Sequence, residues 1–254
     1  MNKINFLQPT KISKLGERYN NHPGPFYIEE EDLNNIFNGI KDIKSDVLLN
    51  HIKGDLDNNN LSIINRVVKY LNPSIIVEIG TYRGRTTYNL LKCTKQSKIA
   101  TIDCDIDNIS VFSGCDTNYF QKQSNIGKLY KDTPESNRVT QILSNSMSNE
   151  CENQLDDFLN GQKIDFTFID GGHNYDTIKH DFEELVLPRV TNDGIIILDD
   201  YARYKTHVGV TQFALEKSYY DGYVFYLVGG TNELIFINNY KGRNYNWKSV
   251  DCVE

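Results

Sequence analysis

The stretch VEIGTYRGRTT, residues 77–87, decides the fold. An apolar run over 75–79 reads as a strand; it breaks at Gly80, and a helical pattern follows Gly84. A glycine directly off a strand lets the chain turn tightly. A second one shortly after it allows close approach of a ligand, or close packing of the next helix. The next apolar run, 99–102, ends in Asp103, placed to accept hydrogen bonds from a ribose diol. The dinucleotide pattern G-x-G-x-x-G is absent, because Tyr82 stands at the middle glycine. Glu78 adds a carboxylate at the turn, which would repel a pyrophosphate and suits a cofactor carrying positive charge.

Outward from this stretch, short apolar runs at 139–143, 166–169 and 195–198 alternate with helical patterns. One helix is carried by Leu155, Phe158 and Leu159, another by Ile178, Phe182, Leu185 and Val186, and a third by Val210, Phe213 and Ala214. Near-continuous apolar strands alternating with helices predict a parallel sheet covered on both faces. The segment YVFYLVGGTNELIFIN, 223–238, places two apolar runs around Gly-Gly-Thr-Asn, a hairpin signal that makes the last strand antiparallel. The expected fold is therefore α/β, doubly wound and Rossmann-like: a mostly parallel seven-stranded sheet with an antiparallel last strand, plus an N-terminal helical extension.

Residues 1–60 are polar and irregular and read as an extension or cap, with one helical face over Leu33, Ile36, Phe37, Ile40 and Ile43. A helix from about Ser62, with Ile63, Ile64, Val67, Val68 and Leu71 on one side, opens the main domain, 61–254, and stops at Asn72-Pro73. The polar link 105–137 is long for this architecture and suits a lid, a contact or a substrate loop.

Composition narrows the function. The 254 residues carry a net charge of −7 and no basic stripe, against a nucleic-acid partner. A hydrophobic fraction of 39% with 11% aromatics is enough for a real core. The five cysteines, Cys93, Cys104, Cys115, Cys151 and Cys252, lack C-x-x-C spacing, which suits a reducing compartment and neither a disulfide framework nor structural zinc. The N-terminus has no apolar leader run, and no apolar stretch approaches ~18 residues, so a soluble, cytoplasmic protein with no membrane partner is expected.

The chemistry concentrates in FIDGGHNYD, residues 168–176, and IIILDDY, residues 195–201. In a doubly wound sheet the carboxyl ends of neighbouring strands share one rim, where ligands bind. If these two strands are neighbours, Asp170, Asp199 and Asp200 converge. Crowded carboxylates raise one another's pKa values unless a cation neutralises them, and hard oxygen donors suit Mg²⁺. Gly171 and Gly172 keep the turn open, and His173 offers an imidazole that can take a hydroxyl proton near neutral pH. The blander alternatives are that Asp170 caps the following helix, that Asp199 and Asp200 are solvated loop acids, and that His173 is a surface residue. His180 and Asp181 read as packing and salt links, while Tyr201, Arg203 and His207 follow the acid pair and are candidate substrate contacts or plain loop.

Glu78-Ile79-Gly80 with Gly84 resembles motif I of class I S-adenosylmethionine-dependent methyltransferases, and Asp103 matches that family's acidic residue after the second strand. The likeness covers about 61–238. Tyr82 and Arg83, in place of a glycine-rich turn, resemble the O-methyltransferase branch that includes macrocin O-methyltransferase and relatives acting on sugars. The resemblance implies S-adenosylmethionine contacts from Glu78, Gly80, Thr81, Tyr82 and Gly84, from Asp103, from Asn145 and Ser146 at the adenine, and from Asp170. It also implies a Mg²⁺ (or Mn²⁺) site at Asp170, Asp199 and Asp200, as in catechol-type and macrocin-type enzymes. His173 stands three positions beyond the first ligand, where the catechol branch has a basic residue. Asp170 and His173 are thus the candidate catalytic residues. The expected activity is O-methylation of a small hydroxylated substrate, with a sugar, nucleotide-linked or part of a glycoconjugate, favoured over a hydroxy acid or catechol. A homo-oligomer is compatible with it. The competing readings are a metal-dependent oxygenase of the cephalosporin-hydroxylase type and a non-catalytic cofactor-binding module.

Overall fold

The computed structural model describes residue 4 and residues 25–104, 122–202, 208–239 and 241–244. Arg203, His207, Cys115, Cys252 and most of the 105–137 link fall outside the described residues. Eight strands form one sheet: β1 (Phe26–Ile28), β2 (Ile75–Ile79), β3 (Lys98–Asp103), β4 (Val139–Leu143), β5 (Ile164–Ile169), β6 (Val190–Leu198), β7 (Phe225–Val228) and β8 (Leu234–Ile237). Their order is β1-β7-β8-β6-β5-β2-β3-β4. The strands from β6 to β4 pair in parallel, while β8 runs antiparallel to both β6 and β7. The mixed, mostly parallel sheet with its reversed last strand is as expected, with one strand more than the seven counted in the sequence.

The additional strand is β1, from a segment that reads as polar and irregular. It pairs in parallel with β7 through Phe26–Tyr226 and Ile28–Val228, a partnership about two hundred residues apart that no local pattern encodes. The helical face expected over Leu33–Ile43 is also broken up. Only α1 (Leu33–Ile36) is helical, and a 3₁₀ turn at Ile40–Asp42 follows Gly39, whose φ is +92°. The Asn34 side chain accepts from the Gly39 amide at 3.0 Å and fixes that break. Leu33, Ile36, Phe37 and Ile40 still share one buried face.

Helix α2 (Asn58–Leu71) starts at an Asp57 cap that accepts from the Asn59 amide, and it ends on a left-handed Asn72. It lies with α3 (Arg85–Cys93) on one face of the sheet, over Ile76, Ile99, Phe166, Phe168 and Ile195. Short helix α4 (Lys128–Lys131) lies in the described end of the link. On the other face lie α5 (Asn149–Leu159), α6 (Tyr175–Lys179) and α7 (Val208–Asp221), over Val77, Ile79, Ile169, Ile196 and Leu198. Alternate strand residues therefore go to opposite cores, the period-two division of a sheet buried on both sides. Helix α6 continues as wider π-helical turns over His180–Val186, bringing Phe182 to within 5.3 Å of the Phe213 ring centroid and 5.2 Å of Phe236. No helix among the described residues is long and apolar enough to cross a membrane.

Candidate active site

The ladder hydrogen bonds run one residue beyond the strand ends and align the functional turns. The Gly80 amide donates to Ile102 O at 2.9 Å, Asp170 to Ile79 O at 2.8 Å, Asp199 to Ile169 O at 3.0 Å and Ser144 to Asp103 O at 3.0 Å. Asp199, Asp170, Gly80, Asp103 and Ser144 thus stand side by side along the carboxyl rim, where ligands of doubly wound sheets bind.

Gly80 has φ +97°, and a Cβ there would lie 1.9 Å from Asp170 O, so the backbones of the two neighbouring turns touch at this point. The close packing at Gly84, φ +84°, has a different origin. A Cβ would meet Tyr130 Cδ1 at 2.6 Å, because α4 folds back over the turn, with the Gly127 amide donating to Tyr82 O at 2.9 Å and Leu129 to Arg83 O at 3.0 Å. Tyr82 adopts φ +47°, and its amide donates to Asp103 Oδ2 at 2.6 Å, while Asp103 Oδ1 accepts from the Cys104 amide at 2.7 Å. These bonds set the Asp103 carboxylate at the mouth of the turn. A carboxylate oxygen accepts two bonds, so each can serve a ribose hydroxyl as well.

Two expected cofactor residues point inward. Glu78 is wholly buried on the α3 face, where Oε2 accepts from Thr87 and, at 2.6 Å, from Thr101; Oε1 has no hydrogen-bond partner among the described residues. Burial pushes its carboxyl up to about 7, against the two threonine bonds, which pull it down. Thr81 is buried too, with its hydroxyl 2.5 Å from that of Thr101. After β4, Asn145 Oδ1 accepts from the Met147 amide at 2.9 Å and shapes the entry to α5. Ser146 stands near Asp181, a fully buried carboxylate that desolvation raises.

On the other half of the rim, His173 Nε2 lies 3.5 Å from Asp170 Oδ1 and 3.1 Å from Asp200 Oδ2. One donor atom from each of Asp170, His173 and Asp200 lies within 4.8 Å of the others, close enough to share an ion. The two carboxylates offer hard oxygen donors that fit a divalent cation such as Mg²⁺ or Mn²⁺, with the His173 imidazole beside them. No second histidine joins the group among the described residues, so the 2-His-1-carboxylate set of iron oxygenases is not formed there. Helix α6 is capped by Asn174, whose Oδ1 accepts from the Thr177 amide at 2.9 Å, so Asp170 is not its cap. Gly209 at the start of α7 packs on the backbone of the same turn: a Cβ would sit 2.4 Å from His173 O.

Asp199 lies close to Asp170 and Asp200 and has further neighbours of its own. Asp200 has φ +65°, a left-handed residue that turns the chain just after β6. Asp199 Oδ1 accepts from Asn60 Nδ2 at 3.4 Å, and Glu233, just ahead of β8, lies beside it. Burial, then the charges of Asp170 and Asp200, raises the Asp199 carboxyl well above the carboxylate range; burial and Asp199 do the same to Glu233. Asn60 and Glu233 escaped the sequence reading. The one available signal was that a hairpin strand returning beside β6 delivers its first residue to the rim. Tyr201 is buried behind the acid pair, its amide donating to Asn232 O at 3.1 Å.

Residues 77–201 match the family model of a methyltransferase domain. Among solved structures, the chain is similar to a candidate caffeoyl-CoA O-methyltransferase from Staphylococcus aureus, with a TM-score of 0.52 at 16% identity over 89% of this chain and 96% of that one. A candidate O-methyltransferase from Klebsiella pneumoniae gives 0.53 at 15% identity over 74% and 83%, and cofactor-bound Rv0187 from MTB gives 0.52 at 11% over 74% and 84%. No curated protein sequence matches the chain. Residues 77–201 thus carry a methyltransferase domain, on a fold shared with solved O-methyltransferase structures.

Proposed function

We propose that the protein is a Mg²⁺-dependent O-methyltransferase that methylates a hydroxyl of a small polyol, most consistent with a sugar, nucleotide-linked or part of a glycoconjugate. The observation that carries this reading is the meeting of Asp170, His173 and Asp200 beside the Gly80 turn. S-adenosylmethionine supplies an electrophilic methyl group, and a divalent cation lowers the pKa of a hydroxyl it binds. Asp170, Asp199 and Asp200 would hold that cation. His173, in contact with Asp170 and Asp200, takes the hydroxyl proton on Nε2 as the oxygen attacks the methyl carbon. Gly171 and Gly172 let the turn pack closely, since a Cβ would lie 3.0 Å from Ile79 and 2.7 Å from Thr177, and Asp103 fixes the ribose end, so that nucleophile, carbon and leaving sulfur are held in line.

Sugar as substrate is supported by the Tyr82-Arg83 turn, a feature of the macrocin-type resemblance. Residues 1–60 serve in this reading as the extension that walls the acceptor side, and 61–254 as the catalytic domain; the Asn60–Asp199 contact supports that division of labour. The unpatterned cysteines suit a cytoplasmic setting. The test is methyl transfer from labelled S-adenosylmethionine to a panel of nucleotide sugars, glycoconjugates, catechols and hydroxy acids. Expected are product on a sugar hydroxyl, loss in EDTA and recovery with Mg²⁺ or Mn²⁺. Full transfer in EDTA removes the cation from the mechanism, and transfer to catechols alone removes the sugar.

A further inference from the structure

The segment 43–57 joins the 3₁₀ turn to α2 with no helix or strand of its own. Its backbone is held instead by side chains of α2 and α3. Lys69 Nζ donates to Lys44 O at 2.8 Å and Asn65 Nδ2 to Asp46 O at 3.1 Å. The Asn89 side chain accepts from the Leu48 amide at 2.8 Å and donates to Leu48 O at 3.0 Å. The strongest anchor is Arg85, the first residue of α3, which is 3% exposed. Its Nε and Nη2 donate to Leu49 O at 3.2 and 3.1 Å, and its Nη1 donates to Leu56 O at 2.8 Å. Nη2 also donates to Asn58 Oδ1 at 2.5 Å, in the first turn of α2. One planar fork thus holds the carbonyls at both ends of residues 49–56 and closes them into a loop, which a single ammonium could not do. Compact loops with their ends held together commonly serve binding sites.

Inside the loop, the Ile52 amide donates to Asp55 Oδ2 and the Asp55 amide to Ile52 O, each at 3.0 Å. The tip then meets the cofactor turn, where Tyr82 Oη donates to Lys53 O at 3.4 Å. Tyr82 is the left-handed residue whose amide donates to Asp103 Oδ2. The loop is therefore fastened to the β2–α3 turn on both sides of Gly84, by Tyr82 before it and by Arg85 after it. Leu49 has φ +68°, a conformation that a residue with a side chain keeps only where its surroundings impose it. The guanidinium on Leu49 O imposes it here.

We propose that Arg85 is a positioning residue for the cofactor, acting through the 49–56 loop: by closing that loop it presses Lys53 O against Tyr82 and steadies the turn that sets Asp103. The proposal rests on the reading of that turn as the S-adenosylmethionine site. Without the clamp, Leu49 relaxes, the loop opens, and the strained Tyr82 loses one of its supports. The consequence falls on cofactor binding.

The test is calorimetry of S-adenosylhomocysteine on the full chain, with hydrogen exchange at the amides of 50–55 followed in the ligand-free protein. Arg85→Gln should weaken binding by about tenfold or more and speed exchange in the loop. Arg85→Lys, which reaches only one of the two carbonyls, should fall between it and wild type, and it carries the comparison should Arg85→Gln not fold. Tyr82→Phe releases the same loop at its other fastening, so the double variant should lose less than the product of the two single losses. In Arg85→Ala, ethylguanidinium should restore affinity while leaving wild type unchanged, a rescue that a general loss of fold would not show. Wild-type affinity in Arg85→Lys and Arg85→Gln overturns the proposal, as do independent, multiplying losses in the double variant. Weaker binding with unchanged exchange in the loop overturns it too. Failure of wild type itself to bind S-adenosylhomocysteine overturns the cofactor reading, and this role with it.

Discussion

The two halves of the rim are built by different means. The half formed by β2 and β3 is backbone work: Gly80 at φ +97°, Tyr82 at φ +47° and amide bonds that set Asp103 in place. The half formed by β5, β6 and β8 is side-chain work, with Asp170, His173, Asp199, Asp200 and Glu233 drawn together from three separate turns. A cofactor that recurs unchanged can be held by fixed backbone geometry. An acceptor and its cation need charge, which has to be gathered from distant parts of the chain. The two halves should therefore respond separately to substitution.

The largest effect is expected on the charged half. Asp200→Asn should cut turnover by ~10³-fold or more if it holds the proposed cation, on which several kcal/mol of transition-state stabilisation would depend. Affinity for S-adenosylhomocysteine, measured by calorimetry, should stay within a few-fold of wild type. His173→Ala comes next, at ~10²–10⁴-fold in turnover, with loss of the limb of the pH–rate profile that lies in the imidazole range. If the variant keeps most of its rate at pH 8, water accepts the proton and His173 is structural.

On the backbone half the effects are smaller and fall on binding. Asp103→Ala removes charged hydrogen bonds worth ~1.5–3 kcal/mol and should weaken S-adenosylhomocysteine about 10–100-fold. Glu78 has in addition an effect on the stability of the ligand-free protein. Burial raises its folded-state pKa from 4.5 to about 7, so the stability gained from the protonated form is full below pH 4.5 and is lost as pH rises through about 7. Thermal unfolding of the ligand-free protein should weaken across that window, and Glu78→Gln should flatten the decline, by ~1–3 kcal/mol at pH 8. An unchanged pH dependence in Glu78→Gln would mean that the carboxyl is ionised without cost, for instance beside a buried water.

The same contrast governs what the sequence disclosed. Gly80, Asp103 and Asp170 are legible because each is a strand-end residue, and strand ends follow from local apolar runs. The reversal of β8 is legible because Gly-Gly-Thr-Asn marks a hairpin. The direction a side chain takes from a strand end is not. Asp199 and Asp200 are adjacent in sequence, and the left-handed φ of Asp200 helps decide which of them meets His173. The packing reason for Gly84 lay in Tyr130, across the long link, and that for Asp199 in Asn60 and Glu233. β1 was hidden because three residues in a polar segment carry no period, and its partner strand lies near the other end of the chain.

The most direct measurement of this division is calorimetry of S-adenosylhomocysteine against wild type, once in EDTA and once in excess Mg²⁺. Separate halves require the same dissociation constant in both, with NAD failing to compete. Loss of S-adenosylhomocysteine binding in EDTA would contradict the division and place the cation within the cofactor site itself.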